Sequence, residues 1–212
     1  MFDYSVTHWS TFLSATVLLT LSPGPDLAYI LAQTARFGRR TGLIAMLGIW
    51  TGAFVHVVFA AAGISAVLLA SATAFLLIKW IGAAYLIWLG VQAFRSKGTS
   101  YKTTSTISDV SNFTIYKQGV LIATLNPKVA MFFLAFLPQF VLPGAGPVGA
   151  QILLHGSLVI LVAAFIEPPI VFLSARFSQR VEKLSGVQVF VDKCLGLFFI
   201  VLGIRLLFVK NT

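Results

Sequence analysis

Charge is what this chain has least of, and acid above all. Among 212 residues there are 15 Lys and Arg but only 6 Asp and Glu, so 10% of the chain is charged. A soluble domain carries roughly a quarter. With 58% apolar residues and a mean hydropathy of +0.94, the composition excludes an ordinary soluble fold. It is that of an integral membrane protein with little mass outside the bilayer. Cysteine is nearly absent. One residue, Cys194, excludes an intrachain disulfide, a multi-cysteine metal cluster and a thiol–disulfide electron carrier. It is expected to pack as a small apolar group. His-Glu-x-x-His and a nucleophile elbow are both missing, which counts against a membrane-embedded enzyme acting on a lipid. Acids, thiols and imidazoles too sparse to share one depth count against a metal-ion exporter. No cofactor and no metal is implied. The N-terminus lacks a basic leader region, and its apolar run is too long for a cleavable signal, so it is expected to remain as a span.

The net charge of +9 would suit nucleic acid if the bases shared a polar face. They do not; they sit in short loops between apolar runs, where they act as orientation signals. A helical span needs roughly 20 mainly apolar residues. Six segments qualify: Ser10 to Gln33, Leu43 to Leu69, Phe75 to Phe94, Tyr116 to Leu142, Gly149 to Ser174 and Val187 to Phe208. Thr41 to Ile78 has no charged residue and is too long for one span, so it is divided near Ala70-Ser71-Ala72-Thr73. Pro143-Gly144-Ala145-Gly146-Pro147 reads as a turn. Ser96 to Ile115, rich in Ser and Thr, reads as a flexible loop. Its Asn112-Phe113-Thr114 sequon is read as a chance match, since the loop falls on the cytoplasmic side. The expected fold is a single all-α transmembrane domain, residues 1–212.

Arg36, Arg39, Arg40, Arg95, Lys97, Lys102, Lys117, Arg176, Arg180 and Lys183 all fall on one side of this plan. The other side has only Lys79, Arg205 and Lys210 near span ends. By the positive-inside rule the first group faces the cytoplasm and both termini lie outside. Trp9 and Trp80 then fall at outer span ends, where interfacial aromatics belong. Leu89-Gly90-Val91-Gln92 and Leu202-Gly203-Ile204-Arg205 hint at a repeat. It would make two inverted three-helix halves, with spans one and four broken at corresponding places.

The first break is Leu21-Ser22-Pro23-Gly24-Pro25-Asp26, the second Asn126-Pro127. Proline removes a donor and disfavours helix at the residue before it. In hydrocarbon a break survives only where protein or a wet cavity covers the freed backbone. Asp26, Lys128 and Glu167 remain deep after the loops are assigned, each beside a proline and each expected at a helix break. Counting back to Arg36, Lys117 and Arg176 puts each roughly 13–17 Å from the cytoplasmic boundary, near the middle of a roughly 30 Å core. Rare intramembrane charges mark sites or pathways. Half-helix N-termini and Lys128 suit a carboxylate; Asp26 or Glu167 suits an ammonium. Ser22, Pro23, Gly24, Pro25, Asp26, Asn126, Pro127 and Lys128 are therefore the expected site of a zwitterion. Asp26 and Glu167 are the expected proton carriers. The bland alternative is that Lys128 only neutralises a buried acid.

Ser22, Asp26, Tyr29 and Gln33 would share a face if helical spacing holds past the break. Gly48 and Gly52 form a GxxxG pair, read as a packing face that a homo-oligomer could also use. His56 and His155 read as lone core histidines, with proton relay as the lesser reading. Tyr85 and Trp88 read as packing residues.

With these residues in view, the chain resembles the LysE/RhtB family of bacterial amino-acid exporters. The resemblance rests on the first break, Arg39-Arg40-Thr41-Gly42, Gly82-Ala83-Ala84-Tyr85-Leu86-Ile87-Trp88-Leu89-Gly90, Leu125-Asn126-Pro127-Lys128, and Phe132 to Phe140 with its Leu137-Pro138-Gln139-Phe140 ending. It implies six spans in the bacterial inner membrane. It also implies export of an amino acid or derivative (homoserine- or threonine-like, lysine-like or other), driven by the proton gradient. The family often carries Asn where this chain has Asp26, and Glu167-Pro168-Pro169 stands outside these motifs.

Overall fold

Two helices break where a cap-forming residue precedes a proline. Gly24 is extended (φ −155°, ψ 179°), and Pro25 opens the next helix at its first position. A proline there loses nothing, because its N–H would be an orphan anyway. The break separates α1, Val6–Leu21, from α2, Pro25–Phe37, and the two are bent by 50°. Asn126 does the same between α5, Asn112–Leu125, and α6, Pro127–Phe136. It too leaves the helical region (φ −77°, ψ 108°), and its side chain accepts from the Lys128 amide at 3.0 Å. The run Lys128–Phe140, which ends in a 3-10 turn, bends by 58° from α5.

This computed structural model describes residues 3–21, 24–70, 72–95 and 111–176, with positions 189, 193, 194, 196, 197, 200, 201, 203 and 204. Ser22, Pro23, the loop segment 96–110 and most of the sixth expected span lie outside the described residues. What is described is helical. Besides the bent pairs it contains α3, Arg39–Ala70, α4, Ala72–Arg95, and α7, Val148–Arg176. Two stretches, Arg39–Ile64 and Val148–Ala175, are long and apolar enough to cross a bilayer alone; counting each bent pair as one span makes four.

Two expectations are corrected here, and a third is narrowed. The helix runs unbroken through Pro168 and Pro169, so Glu167 is not at a break. Proline's φ is already helical, and the donors it removes can be compensated locally inside a membrane bundle. Glutamate, unlike Gly24 or Asn126, is also a good helix former. The expected loop ends early: α5 starts at Asn112, because the Ser111 hydroxyl caps its first turn by accepting from the Thr114 amide at 3.2 Å. The glycine pair is the packing face expected, and α5 of the same chain occupies it. A Cβ on Gly52 would lie 2.5 Å from the Val120 carbonyl oxygen and 2.7 Å from the Ala123 Cβ. A Cβ on Gly48 would come closer still to the Tyr116 carbonyl oxygen, so α3 and α5 meet backbone to backbone.

These contacts set the polarity of the bundle. Gly48 against Tyr116 and Gly52 against Val120 make α3 and α5 parallel. The Arg39 guanidinium lies over the Phe172 ring at 5.7 Å, so the start of α3 meets the end of α7. A single residue, Gly38 at φ 87°, joins α2 to α3. Arg36, Arg39, Arg40, Lys117 and Arg176 thus gather at one end of the bundle. The opposite end holds Tyr4, the start of α7 and the turn at 143–147, where Gly144 and Gly146 take positive φ. There the buried Gln151 amide donates to the Leu142 and Gly146 carbonyls and accepts from the Leu142 amide and the Tyr4 hydroxyl. Burial pushes the Tyr4 phenol above its usual range, which keeps it a neutral donor. Trp80 is 57% exposed, but Trp9 is not a lipid-facing belt residue: it packs inward and stacks on His155. Tyr85 packs against the core, in ring contact with a half-exposed Trp88.

Candidate functional site

The apolar interior is split in two along the bundle. One cluster, toward the basic end, contains Ile30, Met46, Ile49, Ala123 and Val171. The other, toward the Tyr4 end, includes Phe12, Val57, Phe132, Phe136, Ile152 and Val159. Along α3 the first cluster stops at Ile49 and the second starts at Val57, apart from flanking residues. The polar groups lie in the interval.

Both helix breaks enter that interval. Asn126, 5% exposed, donates from Nδ2 to Asp26 Oδ1 at 2.9 Å. A Cβ placed on Gly24 would lie 3.5 Å from Lys128 Nζ, so the ammonium stands against the first break. Asparagine therefore does two jobs from one side chain: its oxygen caps α6 and its nitrogen holds the carboxylate of α2. The α2 N-terminus has no such side-chain cap. Its first-turn amides carry the positive end of a helix dipole. Thr124 Oγ1, two residues before the second break, is buried without a hydrogen-bond partner. Such a group calls for a solute or water.

Glu167 joins from α7. It is 8% exposed and accepts from Trp50 Nε1 at 2.7 Å. Asp26 is its electrostatic neighbour, and Lys128 and His56 are those of Asp26. The three charges singled out from the sequence thus converge. Pro25 and Pro127 open the two half-helices that meet there. Tyr29 does not face the site; its hydroxyl donates to the Ile115 carbonyl at 2.8 Å and ties α2 to α5.

Trp50 carries no mark in the sequence, and His56, expected as a lone core histidine, lies on the α5 side of the site instead. His56 contacts the Ala123 carbonyl at 3.2 Å, one turn before the second break. The signal was there: Gly48, Gly52 and His56 recur every four residues, so His56 continues the row that packs on α5. Trp50 carries no such signal, because its role depends on α7 arriving opposite it. Replacing Trp50 with Phe should lower the stability of the purified protein by about 1.5–3 kcal/mol, the worth of a hydrogen bond to a charged group. Glu167→Gln keeps an acceptor for the indole and should cost less. Unfolding in detergent compares the two.

The family model for the LysE type translocator matches residues 17–210. An uncharacterized membrane protein of Vibrio cholerae serotype O1 is 32% identical over 198 residues, covering 93% of this chain and 95% of its own. The homoserine/homoserine lactone efflux protein of Salmonella typhimurium is 30% identical, with 92% and 93% covered. The leucine efflux protein of Salmonella choleraesuis is 25% identical, with 96% of each chain covered. No solved structure matches.

Proposed function

We propose that this chain, which belongs to the LysE type translocator family, exports an amino acid or amino-acid derivative across the bacterial inner membrane. Family membership supports a membrane transporter over a membrane-embedded enzyme. The narrower reading rests on one observation: the breaks of the two bent spans meet, Asn126 on Asp26 and Lys128 against Gly24.

In this reading the zwitterion enters between the two half-helices. Its carboxylate meets the α2 N-terminus and the Lys128 ammonium; its ammonium group meets Asp26 or Glu167. The charged groups lie between the two apolar clusters, so charge is offered only where the substrate carries charge. Asp26 and Glu167 carry the antiported proton, since a carboxylate in low dielectric readily exchanges one and an arriving ammonium favours its charged form. The six spans form two inverted halves that rock about the site. The similar bends of 50° and 58° support this. So does the antiparallel approach of α4 to the C-terminal residues, Gly90 against Gly196 and Ala83 against Gly203. The basic end faces the cytoplasm and both termini lie outside.

Proteoliposomes loaded with radiolabelled leucine or homoserine test this. Efflux should follow an imposed pH gradient and collapse when the gradient is dissipated. Unchanged efflux from an Asp26→Asn, Glu167→Gln double variant would remove the proton role; no efflux of any amino acid tried would remove the export reading.

A further inference from the structure

His155, a lone core histidine by sequence alone, is paired in the structure. His155, 1% exposed, has Nε2 at 2.8 Å from His8 Nε2. Its other nitrogen, Nδ1, lies 2.8 Å from the Gln151 carbonyl. A carbonyl only accepts, so Nδ1 carries the hydrogen and Nε2 of the neutral ring presents a lone pair. His8 Nε2 must then donate. This leaves His8 Nδ1 as the vacant nitrogen, on the more accessible of the two rings.

We propose that His8 and His155 form a binding site for a single proton at the end of the bundle away from the basic residues. One proton from water adds to His8 Nδ1 and leaves the bond between the rings intact. That bond then joins an imidazolium to an imidazole, and its hydrogen can pass to His155 Nε2, carrying the charge inward. A second proton would set two N–H donors head to head between two cations, which the 2.8 Å separation does not admit.

The surroundings suit one delocalised cation. Tyr4 stacks on His8 with centroids 4.4 Å apart, and Trp9 stacks on His155 at 5.4 Å. Phe12 and Phe140 pack around His155 at 4.9 and 5.9 Å. Aromatic faces attract a cation without supplying a counter-charge that would fix it on one ring. Among the described residues, the ionisable groups on the segment before α1 are Tyr4, in ring contact, and Asp3, which is exposed. Residues 129–140, 57–64 and 148–154, which form the elements packed around the pair, contain none. Because His8 is on α1 and His155 on α7, the site also ties the first half of the chain to the second. On the export reading, and resting on it, this is where the incoming proton is first taken up on the outer side.

The protein has three histidines, so imidazole nitrogen NMR of the full chain labelled with nitrogen-15 histidine can follow each, assigned by single substitutions. Over about pH 5 to 8, the range in which histidine changes charge, the signals of His8 and His155 should move together through one shared step, with His56 separate. His8→Asn should abolish that step at His155. Two independent titrations, or a His155 signal indifferent to His8→Asn, would overturn the site. Transport is the second reading. Leucine or homoserine efflux should lose its dependence on external pH in His8→Asn and in His155→Gln, and a retained dependence would overturn the coupling role. If the shared step is present while neither wild-type nor variant protein moves an amino acid, the export reading fails and the proton site stands.

Discussion

Gly52→Leu should yield little or no folded protein, and Gly52→Ala should fold with a clearly lowered unfolding temperature. A Cβ at this position meets the Val120 carbonyl oxygen at 2.5 Å, the Ala123 Cβ at 2.7 Å and the Thr124 amide nitrogen at 3.1 Å. Two of these are backbone atoms of α5 and cannot turn away. Gly119 returns the contact, its Cβ position lying 2.7 Å from the Ala45 carbonyl and 3.1 Å from the Gly48 Cα. In a bilayer, close packing of small residues replaces the hydrophobic drive between helices. Overpacking one methyl costs about 1–3 kcal/mol where neighbours can yield, and more where they cannot. The α3–α5 seam also holds His56 and the second break in register with the first. Gly63 is the control: a Cβ there meets nothing within 4 Å. Gly63→Ala should leave stability unchanged or raise it by up to about 1 kcal/mol, the gain in helix propensity. Thermal unfolding in detergent compares the three. Equal midpoints for Gly52→Ala and Gly63→Ala would mean that the seam is not as tight as described.

Lys128→Met should lower efflux by roughly one to two orders of magnitude while leaving the protein folded. It keeps the length of the side chain and removes the charge. A charge-assisted hydrogen bond contributes about 1.5–3 kcal/mol, so losing the one to a substrate carboxylate should cost roughly 10- to 150-fold. Lys128→Arg should not restore it, because a planar fork does not replace a compact ammonium against Gly24. Asn126 separates two effects. Asn126→Leu loses both the α6 cap, worth about 1 kcal/mol, and the bond to Asp26. Asn126→Asp keeps an acceptor for the Lys128 amide but replaces the donor to Asp26 with a second carboxylate. Both should lose transport, and only the first should lose the cap's share of stability. Efflux from proteoliposomes, with unfolding measured on the same preparations, reads both.

Much of this site was legible because its chemistry is local. A cap-forming residue followed by proline ends one helix and starts another wherever it stands, and Gly24-Pro25 and Asn126-Pro127 did so. Glu167-Pro168-Pro169 contains more proline and did not, because glutamate continues a helix and nothing there offers a cap. The difference lies in the residue before the proline, which the reading from proline alone overlooked. The turn at 143–147 was likewise legible from local composition. Partnerships between distant elements were not. Trp50 reaches Glu167 only because α3 crosses α7, and His8 meets His155 only because α1 returns beside the start of α7. The Gly48–Gly52 face was visible, but not that α5 would occupy it.

The central claim is that the two breaks bound one watery pocket that an amino acid enters. Gly24 is its most direct reporter. Its extended backbone accepts any side chain, and a Cβ there sits at ordinary contact distance, 3.5 Å, from Lys128 Nζ. In a Cys194→Ser background, a cysteine at Gly24→Cys would have an ammonium beside it, which favours the reactive thiolate. The rate at which a charged, water-soluble thiol reagent modifies it, with and without leucine or homoserine, is the measurement. Rapid modification from the cytoplasmic side, slowed severalfold by the amino acid, is the predicted result. A thiol that reacts only after denaturation, or one equally fast with and without an amino acid the protein is seen to export, would contradict it.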